Sequence, residues 1–266
     1  MVMSDDPVLF DLEEGVATVT LNRPDRRNAL SSEIADGILD SLDRAADENA
    51  RCVVIDGAGG AFSAGGDLDR LKRRIESDRP VEAAVREVER TTHHLVERVA
   101  KAPVPTIAKI DGPAVGAGAN LAIACDLQVG SDRSSIGFVF RTVGLSVDSG
   151  TSYFLPRIVG ENVAKELVYT GKILDADRAL ELGLFNHVFP EADFDDRVRE
   201  LAHEIGSGPT VALRQAKQLL GSGFGKSLET ALHDEAVAQG LVFESRDHRE
   251  GVEAFFDGRD PDFEGR

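Results

Sequence analysis

Two stretches constrain this chain more than any others: "RCVVIDG" running into "AGGAFSAGGDL", and "TIAKIDG" running into "PAVGAGAN". Each is a short run, apolar on both faces, that ends in a Gly/Ala-rich turn and opens into helical spacing. Strands that are apolar throughout belong in a parallel sheet covered by helices. The order strand, turn, helix marks a crossover unit, because parallel neighbours cannot be joined by a tight hairpin.

The remaining pattern extends this reading. "VLFDLEEGVATVTLN" holds two short β segments broken at Glu14-Gly15, with alternation in "VATVTL". A turn follows, and helical spacing then places Ile34, Ile38 and Leu42 on one face behind an N-cap at Ser31 or Ser32. A helix is expected through "VREVERTTHHLVERVAKA", then the breaker "PVP", the strand "TIAKIDG", a helix at "LAIAC" and a strand at "DLQVGS". Beyond "PRIVG" the chain reads as helical apart from a short "FNHVFP". Helical apolar spacing in "LRQAKQLL" and "LETALHDEAVAQGLVF" makes the last fifth a helical appendage. The expected division is residues 1–200 as an α/β core and 201–266 as a helical region.

Composition narrows the function. At 266 residues and 42% hydrophobic the chain can bury a core without disulfides. A formal charge of −17, from 47 acidic against 30 basic residues, repels polyanions, so a nucleic-acid binder is excluded and an anionic ligand needs local basic groups. Cys52 and Cys125 sit in apolar surroundings with no Cys or His neighbour at metal-ligand spacing, and are expected to be buried reduced thiols without a metal. No signal peptide or membrane span is evident, so the expected location is cytoplasmic.

The glycine-rich turns sit where a strand's C-terminal end meets a helix N-terminus, so free backbone N–H groups point outward. Two such turns could aim two donors at one oxygen, or could be ordinary βα turns that need glycine for sharpness. Neither matches the phosphate loop or the dinucleotide fingerprint.

Six blocks, taken in order, resemble the enoyl-CoA hydratase/isomerase (crotonase) family: "VATVTLNRPDRRNAL", "GAFSAGGDL", "APVPTIAKIDGPAVGAGANLAIACDL", "IGFVFRTVGLSVDSGTSYFLPRIVG", "ALELGLFNHVFP" and "EGVEAFFDGRDPDF". The resemblance runs from about Val8 to Phe263. It implies an α/β, crotonase-like core of repeated ββα units, with C-terminal helices that mediate assembly into a homotrimer or a dimer of trimers. It also implies an acyl-CoA thioester as substrate and no cofactor beyond that CoA moiety. The family holds the thioester oxygen with two backbone N–H groups, which here match Gly66 and Ala117. The CoA-binding positions match the first turn, Arg23 to Ala29, with Arg23, Arg26 and Arg27 as candidate phosphate partners, together with Ala64, Asp67 and Leu68.

The chain departs from the hydratase pattern at two places. Hydratases of the family use two glutamates, and the matching positions are Asn120 and Phe140. Neither can transfer a proton. "GLSVDSG" resembles instead the segment of family isomerases that keep a lone aspartate, which points to Asp148 as a base shuttling a proton on the acyl-CoA. Three other readings stay open: a hydratase with non-standard acids, a catalytically silent acyl-CoA binder, and a hydrolase similar to 4-chlorobenzoyl-CoA dehalogenase. In the last, Asp148 would attack the ring, His93 would activate water, and Phe140 would stand where that enzyme has Trp. The remaining histidines, His94, His187, His203, His233 and His248, show no metal-like grouping.

Overall fold

The computed structural model describes residues 5–67, 72–73, 75–77 and 80–266. The chain opens with a hairpin, β1 (Val8–Glu13) and β2 (Val16–Leu21), which turns through Glu14 and Gly15 at positive φ. Helix α1 (Ser32–Asp47) follows. Its N-cap is Ser31, whose hydroxyl accepts from the Ile34 N–H, and it buries Ile34, Ile38 and Leu42 as the spacing predicts. Strands β3 (Cys52–Gly57), β4 (Thr106–Ile110), β6 (Leu127–Ser131) and β9 (His187–Phe189) add to β2 in parallel, giving the order β1-β2-β3-β4-β6-β9.

Side chains alternate between the faces of a strand, and β3 uses both. Val53 and Ile55 enter the large core with α1, while Cys52 and Val54 pack on the other face against α7 (Phe194–Gly206) through Phe194, Val198 and Ala202. This is the physical content of the unbroken apolar run in the sequence. Cys52 and Cys125 are both buried and unbonded, and burial pushes the Cys52 thiol up to about 12.

Local differences from the sequence reading concern short elements. The turn "PAV" is itself a strand, β5 (Pro113–Val115), in a second small sheet with β7 (Ser135–Gly137) and β8 (Ile173–Asp175), in the order β5-β7-β8. The helix expected at "LAIAC" starts earlier, as α4 (Ala117–Ala124). The helix before β4 is α2 (Val81–Val88) and α3 (His94–Ala100), joined by a π-helical turn over Glu89–His93. Helix α5 (Thr151–Thr170) is interrupted at Gly160, where φ is 77° and ψ 158°; α6 (Ala176–Glu181) follows β8.

Helix α7 runs through the expected boundary at residue 200 and is part of the packed core. The change in burial comes after Gly206. Helices α8 (Thr210–Ser222), α9 (Leu228–Phe243) and α10 (Arg246–Asp257) bury only Thr210, Ala238, Asp247 and Ala254. Among the described residues no helix is long and apolar enough to cross a membrane.

Candidate active site

The two glycine-rich turns lie beyond the C-terminal ends of adjacent strands β3 and β4, where open α/β sheets place their ligands. They are built against each other. Ser63 forms an isolated bridge with Ala114, its N–H donates to the Pro113 carbonyl at 3.1 Å, and the Val115 N–H donates to the Ser63 carbonyl at 3.0 Å. Gly65 has φ +91°, and a Cβ there would stand 2.6 Å from the Val115 carbonyl oxygen and 3.3 Å from the Ala117 nitrogen. Only glycine permits that approach. The sequence reading asked for small residues so that a ligand could reach the backbone; the tight contact is at Gly65, between the loops. Gly66 itself is exposed, with nothing within 4 Å of a Cβ built there.

Ala117 is the first residue of α4, behind Gly116 at φ +55°. Helical geometry leaves its N–H without an intrahelical acceptor. Gly66 and Ala117 therefore occupy the ends of two loops that touch at Gly65.

The first turn is clamped onto the same place. Pro24–Arg26 form a 3₁₀ turn, and Arg27 and Asn28 both take positive φ, 49° and 54°. Asn28 is fully buried. Its amide donates to the Ala58 and Ala61 carbonyls at 2.9 and 2.8 Å and accepts from the Arg23 N–H at 2.9 Å. Ser63 Oγ donates to the Asn28 carbonyl at 2.8 Å, and the Ala64 N–H donates to the Arg27 carbonyl at 2.8 Å. The turn from Arg23 to Ala29 is thus brought beside Ala64, with Arg26 and Arg27 exposed and Arg23 half-buried. Asp67 is half-buried and 3.8 Å from Arg73. Leu68 lies outside the described residues. Sequence reasoning missed Asn28 and Ser63. The available signal was Asn within "RRNAL", since Asn tolerates left-handed backbone better than most residues.

Asp148 stands at the end of the loop before α5, on the dipeptide Ser149-Gly150, whose φ angles are +46° and +85°. Its Oδ1 and the Ser149 Oγ are buried, and neither has a well-formed hydrogen-bond partner among the described residues. Burial holds the Asp148 carboxyl above the usual carboxylate range, with the Ser149 hydroxyl and then His93 pulling the other way. His93 reaches it electrostatically from the π turn, a feature often found at functional sites. Asn120 and Phe140, at the positions of the hydratase acids, are both buried. Asn120 Nδ2 donates to the Asp148 carbonyl at 3.0 Å.

The site thus brings together Gly66 and Ala117 at the ends of two touching loops, a turn with three arginines, and the Asp148 carboxyl tied to the Ala117 helix through Asn120. The family model for enoyl-CoA hydratase/isomerase matches residues 11–266. The chain is 35% identical over 260 residues to the 1,2-epoxyphenylacetyl-CoA isomerase of Escherichia coli, covering 97% of this chain and 98% of that one. It is 35% identical over 233 residues to a 4-chlorobenzoyl coenzyme A dehalogenase of Arthrobacter, covering 87% and 84%. The crystal structure of an enoyl-CoA hydratase from Bacillus anthracis superposes with a TM-score of 0.89 at 33% identity, covering 98% of this chain and all of the other. The chain belongs to the enoyl-CoA hydratase/isomerase family.

Proposed function

We propose that this protein is an acyl-CoA isomerase that moves a double bond, or opens a ring epoxide, with Asp148 as its single acid–base group. One observation carries the reading. Asp148 is a partly desolvated carboxyl with one oxygen unpaired among the described residues, while the two positions that would hold hydratase acids are Asn120 and Phe140. A carboxyl whose pKa is raised toward neutrality is a better proton acceptor at working pH.

With 3-enoyl-CoA, the Asp148 carboxylate takes a proton from C2. The C–H electron pair forms the C1–C2 double bond of an enolate, and its negative oxygen receives the Gly66 and Ala117 N–H groups. Collapse of the enolate moves the C3–C4 double bond to C2–C3, and protonated Asp148 returns its proton to C4. No water or cofactor is consumed. Arg23 and Arg27, with Ala29, Ala64, Asp67 and Leu68, bind the CoA portion, and Arg26 is a further candidate for the phosphates.

The test is incubation of the protein and Asp148→Ala with 3-enoyl-CoA and 2-enoyl-CoA. Conversion of the first to the second, lost in the variant and accompanied by little hydration, is the expected result. Efficient hydration that survives the variant would sink the reading. Equal acyl-CoA binding by protein and variant with no turnover by either would identify a silent binder instead.

The action of His93 on Asp148 favours a second reading, in which Asp148 attacks an aromatic ring and His93 activates water. Chloride release from 4-chlorobenzoyl-CoA tests it. The protein is further proposed to act as a homotrimer or a dimer of trimers, because α8 to α10 expose Leu220, Phe224, Leu228, Phe255 and Phe256. A monomeric mass by light scattering would refute that.

A further inference from the structure

Helix α4 reads "AGANLAIA", and Asn120 is its one polar side chain, fully buried. Asn is a poor helix former, and a buried amide costs stability unless its groups are paired. Both of its groups are paired, and with one turn only. Nδ2 donates to the Asp148 carbonyl at 3.0 Å, and Oδ1 lies 2.6 Å from the Thr151 hydroxyl. Thr151 is itself buried. Its N–H donates to the Asp148 carbonyl at 2.9 Å, and its hydroxyl, with one proton to share, is also 2.9 Å from that oxygen.

The segment held this way is strained. Ser149 and Gly150 are consecutive left-handed residues, and a non-glycine residue persists in that region only where its surroundings fix it. The holding helix starts at Ala117, one turn before Asn120.

We propose that Asn120 is a positioning residue: with Thr151 it ties the Asp148 turn to the helix that presents the Ala117 N–H, and so sets the separation between proton acceptor and oxyanion donor. The proposal rests on the reading of Asp148 as the base. It also gives the departure from the hydratase pattern a physical cause. A glutamate at position 120 would set a carboxylate oxygen against the Asp148 carbonyl oxygen, acceptor against acceptor.

The experiment compares Asn120→Ala, Thr151→Val and Thr151→Ser in two readouts. One is isomerisation of 3-enoyl-CoA. The other is titration of the Asp148 carboxyl in ¹³C-aspartate-labelled protein, its resonance assigned by its loss in Asp148→Asn. For Asn120→Ala, kcat should fall on the order of 100-fold, while KM changes less than about threefold. Thr151→Val should give a smaller loss, and Thr151→Ser, which keeps the hydroxyl, should restore activity. The Asp148 carboxyl, freed toward water, should titrate nearer an ordinary aspartate in Asn120→Ala. His93 acts on it electrostatically, so the shift must persist in a His93→Gln background.

An unchanged titration overturns the proposal, whether or not the variant is also less stable. So does full isomerase activity in Asn120→Ala. The titration needs no turnover. A protein that titrates as expected but does not isomerise enoyl-CoA therefore keeps the clamp and loses the function proposed for it.

Discussion

Asp247, at the start of α10 and buried, and Asp148, just before α5 and half-buried with its Oδ1 out of water, are both acids near a helix N-terminus, in regions that treat them oppositely. Asp247 is buried and saturated. Its carboxylate accepts from the Glu264 N–H at 2.8 Å and the Gly265 N–H at 2.9 Å, and its own N–H donates to the Arg266 carbonyl at 3.1 Å. Beside it Glu250 accepts from Arg259 and from the Asp262 N–H, contacts that draw its carboxyl down to about 2. Asp148 has its backbone carbonyl crowded with donors and, among the described residues, its side-chain Oδ1 without any. The contrast teaches that burial alone does not mark a functional acid. Where every acceptor is paired, the acid is holding chain in place, here the C-terminal tail. Where the backbone is pinned and the carboxyl left bare, the carboxyl is free to meet a reacting partner, the role proposed for Asp148.

The largest expected effect tests the bare acid. Asp148→Ala should lower kcat for 3-enoyl-CoA isomerisation by about 10²–10⁴-fold, the usual contribution of a positioned acid–base group. Asp247→Ala should leave turnover by the folded protein unchanged. Comparable losses in both would break the comparison. Next comes the oxyanion donor. Ala117→Pro removes one N–H at the first position of a helix, where proline is tolerated, and should cost about 2.7–4 kcal/mol of barrier. That loss should appear in kcat, with the thermal midpoint little moved; a full kcat would remove Ala117 from the site.

The saturated acid should show in stability instead. Asp247→Ala leaves two tail N–H groups without their acceptor, and should cost about 1–3 kcal/mol. Urea unfolding reads it, and an unchanged midpoint would mean that the tail is not held by Asp247.

The same contrast explains what could be read from sequence. Strands β2, β3, β4 and β6 were legible because burial on one or both faces writes period-2 alternation or an unbroken apolar run, and α1 because Ser31 and the Ile34, Ile38, Leu42 spacing agree. The three-residue strands β5, β7 and β8 left no period to detect, since their pairing comes from tertiary register. In the candidate site, Gly66, Ala117 and Asp148 were nominated by the family resemblance of the segments that carry them. Asn28, Ser63 and Thr151 did not, because each works through partners supplied by distant loops and backbone. Asn120 was read from sequence as a missing acid. Its hydrogen bonds to the Asp148 turn give it a positive task that no local pattern encodes.

The smallest effect sharpens the comparison most, because the two acids should move in opposite directions. The Asp148 carboxyl is raised by burial, so the folded protein holds that proton more tightly than the unfolded chain does. Ionisation therefore works against folding. The penalty is fully present above the folded pKa and fades as pH falls toward the ordinary aspartate value of about 3.9. Asp148→Asn should accordingly raise the melting temperature near pH 7, and the gain should shrink as the solution is acidified. Asp247→Asn, which puts an amide where two N–H groups expect a carboxylate, should lower it at pH 7. The activity profile carries the same sign: the acid limb of kcat/KM should lie above the ordinary aspartate range, because the base works only when ionised. Melting curves of the two asparagine variants across pH decide the matter, and a fall in both at neutral pH would mean that Asp148, like Asp247, serves the fold.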